Sequence, residues 1–99
     1  MDKSNKARND VLYEAILTLK DVEECKNFFQ DLCTVSELRA IEQRMEVAIL
    51  LSEGKIYSDI LERTGASSAT ISRVNRALQY GADGYKTVLP RIKDKVENG

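Results

Sequence analysis

The sequence predicts an all-α chain of six short helices organised around a helix-turn-helix. Apolar residues recur at the helical period along nearly the whole chain, and Gly54 and Gly81 stand where two of the apolar stripes stop. Serine, threonine or aspartate precedes several of the stripes, as helix N-caps do. No segment alternates at period two, so no sheet is expected.

The first eight residues, Met1 to Arg8, are polar and aperiodic and are expected to form a flexible arm ahead of a single domain spanning residues 9–97. Val11, Leu12, Ala15, Ile16 and Leu19 then share one face, predicting a first helix from about Asn9 to Leu19. Asp21 with Glu24 resembles a capping box and opens a second helix, whose stripe is Val22, Cys25, Phe29, Leu32 and Cys33. Thr34 with Glu37 repeats the pattern for a third helix reaching about Ser52, with Leu38, Ile41, Met45, Ala48 and Ile49 inward. Val47, Leu50 and Leu51 widen that stripe beyond one face. A helix apolar on several sides is packed from several directions, and in so short a chain a second subunit can supply one of them.

Gly54 ends the third helix. A short helix from about Tyr57 to Thr64 follows, then a turn, a longer helix from about Ser68 to Tyr80 and a closing Gly81. A last helix, about Gly84 to Val96, rests on Tyr85, Val88, Leu89 and Ile92, and Pro90 within it is expected to kink it or delay its start.

At 99 residues the chain has room for a modest core. With 42% hydrophobic and 31% charged residues it has the balance of a globular protein. No apolar run approaches the roughly 20 residues that cross a bilayer and no signal-peptide core is present, so no membrane association and a cytoplasmic location are expected. Cys25 and Cys33 have no histidine beside them to complete a metal site or a Cys–His nucleophile, and at helical spacing they serve as small apolar fillers. No metal is expected. With no glycine-rich phosphate loop and carboxylates scattered on outer helix faces, no enzyme is expected either. The net charge of −1 conceals an uneven distribution: residues 1–54 carry 7 basic and 11 acidic residues, residues 55–99 carry 8 and 5.

The basic half contains the segment from Tyr57 to Val74, which has the grammar of a helix-turn-helix ending near Tyr80. Ile60 and Leu61 are expected to bury its first helix, Gly65 to supply a positive φ in the turn, and Ser67 or Ser68 to cap the second helix. Ile71, Val74 and Leu78 form the inward stripe of that helix. At about 100° per residue the opposite face holds Ala69, Ser72, Arg73 and Arg76, with Thr70 on the flank. Small, hydroxyl and guanidinium side chains suit a major groove, since small ones allow close approach while the others reach base edges and phosphates. An ordinary solvated face carries more Glu and Lys, whereas residues 65–80 contain no acidic residue.

Over roughly Leu32 to Gly84 the sequence also resembles the Trp repressor family, and within it the YerC/YecD-type branch. The resemblance is carried by Thr34 with Glu37, Ala40, Arg44, Leu50-Leu51, Gly54, Thr64-Gly65-Ala66-Ser67 and Ala69-Thr70-Ile71-Ser72-Arg73-Val74-Asn75-Arg76. It implies a six-helix fold and an intertwined homodimer that presents two recognition helices to successive major grooves, about 34–36 Å apart, on double-stranded DNA. The family's operator-facing positions match Ser67, Ser68, Ala69, Thr70 and Ser72. Its basic residues on the first helix of the motif fall at Ser58 and Leu61 and its late lysine at Gln79, whereas Arg76 is basic where the repressor has no basic residue. A different operator is implied.

The resemblance also implies a candidate effector pocket at Thr34, Arg44, Arg73, Val74 and Ala77. The two arginines that bracket the corepressor are kept at Arg44 and Arg73, and the threonine at Thr34. Val74, however, replaces the glycine that leaves room for the indole, Ala77 replaces the serine near the ammonium group, and Asp31 and Cys33 replace two apolar residues. Overpacking of that kind costs on the order of 1–3 kcal/mol, so no cofactor is expected and tryptophan binding is disfavoured. Arg44 and Arg73 then either bind another small anion or act structurally, pairing with carboxylates and DNA phosphate while Val74 fills the vacated space, and the structural reading is preferred. The function expected is that of a dimeric DNA-binding transcriptional regulator, of the repressor type. The alternative is a helix-turn-helix that binds another protein rather than a specific DNA site.

Overall fold

The computed structural model describes residues 3–98, with side chains from Asp10 to Lys95. The described residues form six helices and no strand: α1 (Lys3–Leu17), α2 (Val22–Leu32), α3 (Val35–Ser52), α4 (Tyr57–Thr64), α5 (Ser68–Tyr80) and α6 (Gly84–Asn98). None is long and apolar enough to cross a membrane. Two compact units divide the chain, residues 1–38 and residues 39–99.

In the first unit, α1 begins at Lys3 rather than near Asn9, so helix covers most of the segment expected to be an arm, while Met1 and Asp2 lie outside the described residues. Apolar periodicity marks which face of a helix is buried, and a polar stretch free of Gly and Pro extends a helix without it. α1 also ends two residues early, where Thr18 and Leu19 turn their amides back to the Ala15 and Ile16 carbonyls. α2 starts at Asp21, whose carboxylate accepts the Glu24 amide at 2.8 Å. The reciprocal bond goes to the Lys20 amide at 3.0 Å, one residue before the position a capping box uses. Phe28 replaces Val22 in the half-buried stripe and meets Phe29 edge to face at 5.5 Å. Val22 and Leu32 are exposed instead.

At the start of α3 the expected capping box is complete. The Thr34 amide donates to Glu37 Oε1 at 2.8 Å, and the Glu37 amide donates to Thr34 Oγ1 at 3.1 Å. Bonds from the Thr34 backbone and side chain hold the Glu37 carboxyl below its ordinary value. A depressed folded-state pKa contributes stability that is present above the ordinary carboxylate range and is lost as pH falls through the lower folded value. Acidification is therefore expected to loosen the α3 start in the wild type, and Glu37→Gln to flatten that pH dependence; amide exchange at residues 35–38 reads both.

The second unit is built around Val47 and Ala48 of α3, Ile60 of α4, Ala66 of the turn and Ile71 and Val74 of α5, with Leu50, Leu51, Leu78 and Tyr85 packed against them. Val47, Ile60 and Ile71 are fully buried. α3 closes on a Schellman motif: Gly54 takes φ 81°, its amide bonds the Leu51 carbonyl, and the Lys55 amide bonds the Leu50 carbonyl. Gly81 closes α5 differently. Its φ of −84° needs no glycine, but a Cβ there would run into the Ala77 carbonyl oxygen, so space rather than backbone freedom demands the residue. Asp83 takes a left-handed φ of 67° before α6 and pairs with Lys86 at 3.5 Å. α6 neither starts late nor breaks at Pro90. The ring removes one amide donor, and the carbonyl it orphans belongs to Lys86, an exposed residue whose backbone water can serve.

Candidate nucleic-acid interface

The helix-turn-helix is assembled by local bonds. Ile60 anchors α4 in the core, whereas Leu61, expected to be buried with it, is 38% exposed. The Thr64 hydroxyl donates to the Ile60 carbonyl at 2.7 Å and accepts the Ala66 amide at 3.0 Å. Gly65 has the positive φ the turn requires, 70°, and its amide bonds the Leu61 carbonyl. Gln43 of α3 donates its side-chain amide to the Thr64 carbonyl at 3.2 Å, tying the turn to the central helix. That partner lies 21 residues away in sequence and is a backbone atom, so no local pattern announces it.

Ser67 is the N-cap of α5. Its Oγ accepts the Thr70 amide at 3.1 Å, and its hydroxyl donates to Thr70 Oγ1 at 3.0 Å. With one lone pair of Thr70 Oγ1 engaged, the proton of that hydroxyl is left to donate elsewhere. Ile71 and Val74 carry the helix into the core. Ser67, Ser68, Ala69, Ser72, Arg73 and Arg76 are exposed, and Thr70 is half-buried on the flank. Arg73 and Arg76 make no ion pair among the described residues. Tyr80, which the sequence reading left aside, stands on the same outward face and is 81% exposed. The arrangement is a helical face with two guanidinium groups that no described carboxylate pairs, several hydroxyls, a small residue at Ala69 and no carboxylate of its own.

The candidate effector residues fare less uniformly. Val74 is 1% exposed within the core, so its side chain occupies interior space. Arg44 is half-buried, Arg73 and Ala77 are exposed, and among the described residues neither arginine meets the carboxylate expected of a structural role. Thr34 lies in the other unit and is committed to its capping box. A cavity of about 490 Å³ in the second unit is lined by Ile49, Leu89, Pro90 and Ile92 with Ser52, Glu53 and Lys93, none of them an effector candidate. Among the described residues no group of three or more His, Cys, Asp or Glu is placed to hold a metal ion.

The family model described as Trp repressor protein matches residues 7–93. The uncharacterised protein YerC of Bacillus subtilis (strain 168) is 51% identical over 94 residues, which cover 95% of this chain and 90% of YerC. Two crystal structures share the fold. One is a candidate Trp repressor from Staphylococcus aureus, at TM-score 0.85 and 49% identity, covering 88% of this chain and 87% of that one. The other is a TrpR-like protein from Eubacterium eligens ATCC 27750, at TM-score 0.81 and 54% identity, covering 85% and 87%.

Proposed function

The chain belongs to the Trp repressor family, and from that membership we propose that it is a cytoplasmic transcriptional regulator, of the repressor type, that binds double-stranded DNA as a homodimer. The observation that carries this reading is the outward face of α5, where Arg73 and Arg76 stand exposed and, among the described residues, unpaired beside Ser72 and Ala69, on a stretch without any acidic residue. Unpaired guanidinium groups on a convex helix are suited to phosphates and base edges. The dimer is supported by apolar side chains the single chain leaves in water, among them Val11 at 60%, Leu17 at 79% and Val35 at 72% exposure.

An electrophoretic mobility shift on genomic fragments tests the reading, with retarded complexes expected at low salt and much weaker ones at high salt. Salt-insensitive binding, or none, would favour a helix-turn-helix that docks on another protein.

The regulator is proposed to act without tryptophan. Val74 already fills the core at the position where the family's pocket needs a glycine, and Ala77 offers no hydroxyl to an ammonium group. Isothermal titration is expected to show no micromolar heat signal with tryptophan; such a signal would overturn this part of the proposal. Another small anion between Arg44 and Arg73 would show in the same titration with other amino acids.

A further inference from the structure

The outward face of α5 runs from Ala69 to Tyr80, and at about 1.5 Å per residue it extends roughly 16 Å. The major groove is only about 12 Å wide. It is also only about 8.5 Å deep, so when the capped end of the helix meets the base edges the far end lies at or beyond the sugar–phosphate rim. Tyr80 is the residue at that end. It lies one helical turn beyond Arg76, its ring is 81% exposed, and its hydroxyl has no hydrogen-bond partner among the described residues. Leu78 and Tyr85, not Tyr80, do the packing at this end of the unit. Gly81 follows immediately as the C-cap, its amide bonded to the Ala77 carbonyl, so Tyr80 is the last residue of the helix.

We propose that Tyr80 is a DNA-backbone contact, its phenolic O–H donating to a phosphate oxygen at the rim of the groove. The assignment rests on the DNA-binding reading above. An uncharged donor displaces water from a phosphate but neutralises no charge, so it adds affinity without releasing a counterion. Arginine contacts do both, and salt dependence separates the two kinds.

The test uses the full chain and two probes: a duplex recovered by the wild type from a random pool, and an unrelated duplex of equal length. Affinities of wild type, Tyr80→Phe and Arg76→Ala are measured across a salt series, with helicity checked by circular dichroism. Tyr80→Phe is expected to weaken both duplexes alike, by about tenfold per protomer, with the slope of log K against log salt unchanged. Arg76→Ala is expected to lower that slope by about 0.9 per protomer. Wild-type affinity in Tyr80→Phe beside a weakened Arg76→Ala overturns the Tyr80 assignment alone, as does a loss confined to the selected duplex. Failure of the wild type to bind any duplex overturns the DNA reading and the assignment with it.

Discussion

Ile71→Ala is expected to destabilise the fold by about 2–5 kcal/mol, the usual range when a fully buried branched side chain is truncated and the cavity cannot collapse. Ile71 has no accessible surface, and Val47, Ala48, Ile60, Ala66 and Val74 share its cluster, so the missing atoms leave a void at the junction of α3, α4 and α5. In a chain of 99 residues that corresponds to a fall in Tm of roughly 10 °C or more. The neighbouring Ser72→Ala is expected to leave Tm nearly unchanged, because Ser72 is exposed on the opposite side of the same helix. Thermal unfolding followed by circular dichroism, at one fixed protein concentration because association contributes to apparent stability, checks both. Equal losses in the two variants would mean that the two faces of α5 are assigned wrongly.

The second large effect is on binding. The double variant Arg73→Ala/Arg76→Ala removes both cations from the outward face of α5 and none from the core. Its Tm is expected to stay close to wild type, while affinity for a selected duplex falls by about ten-thousandfold or more at low salt, as expected when four charged contacts, two from each protomer and each worth about tenfold or more, are lost. The slope of log K against log salt is expected to fall by about 3.6 for a dimer, from roughly 0.9 per phosphate contact and four contacts in all. Fluorescence anisotropy over a salt series gives affinity and slope together. A variant that loses affinity while keeping its slope would assign the arginines to something other than phosphate neutralisation.

What could be read from the sequence was whatever short-range chemistry decides. The caps at Asp21, Thr34 and Ser67, the left-handed turn at Gly65 and the inward pair Ile71 and Val74 depend on neighbours within four residues, and the structure has them as expected. The misreadings share a different cause. Leu61 fits an apolar stripe, but whether it is covered depends on what faces α4, and it stays 38% exposed among the described residues. Pro90 costs α6 one amide donor and crowds the Lys86 carbonyl, and whether the helix tolerates both depends on the exposure of that turn, a condition invisible in the sequence. The role of Gly81 turned on the approach of a carbonyl, and the Gln43 bond to Thr64 on tertiary folding.

The candidate site divides along the same line. Its outward residues followed from helical geometry once Ile71 and Val74 were placed inward, and Tyr80 could have been found by continuing that face to the end of the helix. The expected carboxylate partners of Arg44 and Arg73 could not be judged from spacing, because ion pairs between helices depend on side-chain reach in the folded state. Among the described residues Arg73 meets no carboxylate and stands on the outward face of α5.

The most direct test of the central claim is selection of duplexes from a random pool by the wild-type chain, followed by titration of the recovered site from about 50 to about 200 mM salt. The DNA-binding dimer predicts a near-palindromic site with half-sites about 34–36 Å apart and an affinity that falls linearly on the log–log plot. Failure to enrich any sequence, or binding indifferent to salt, would contradict it.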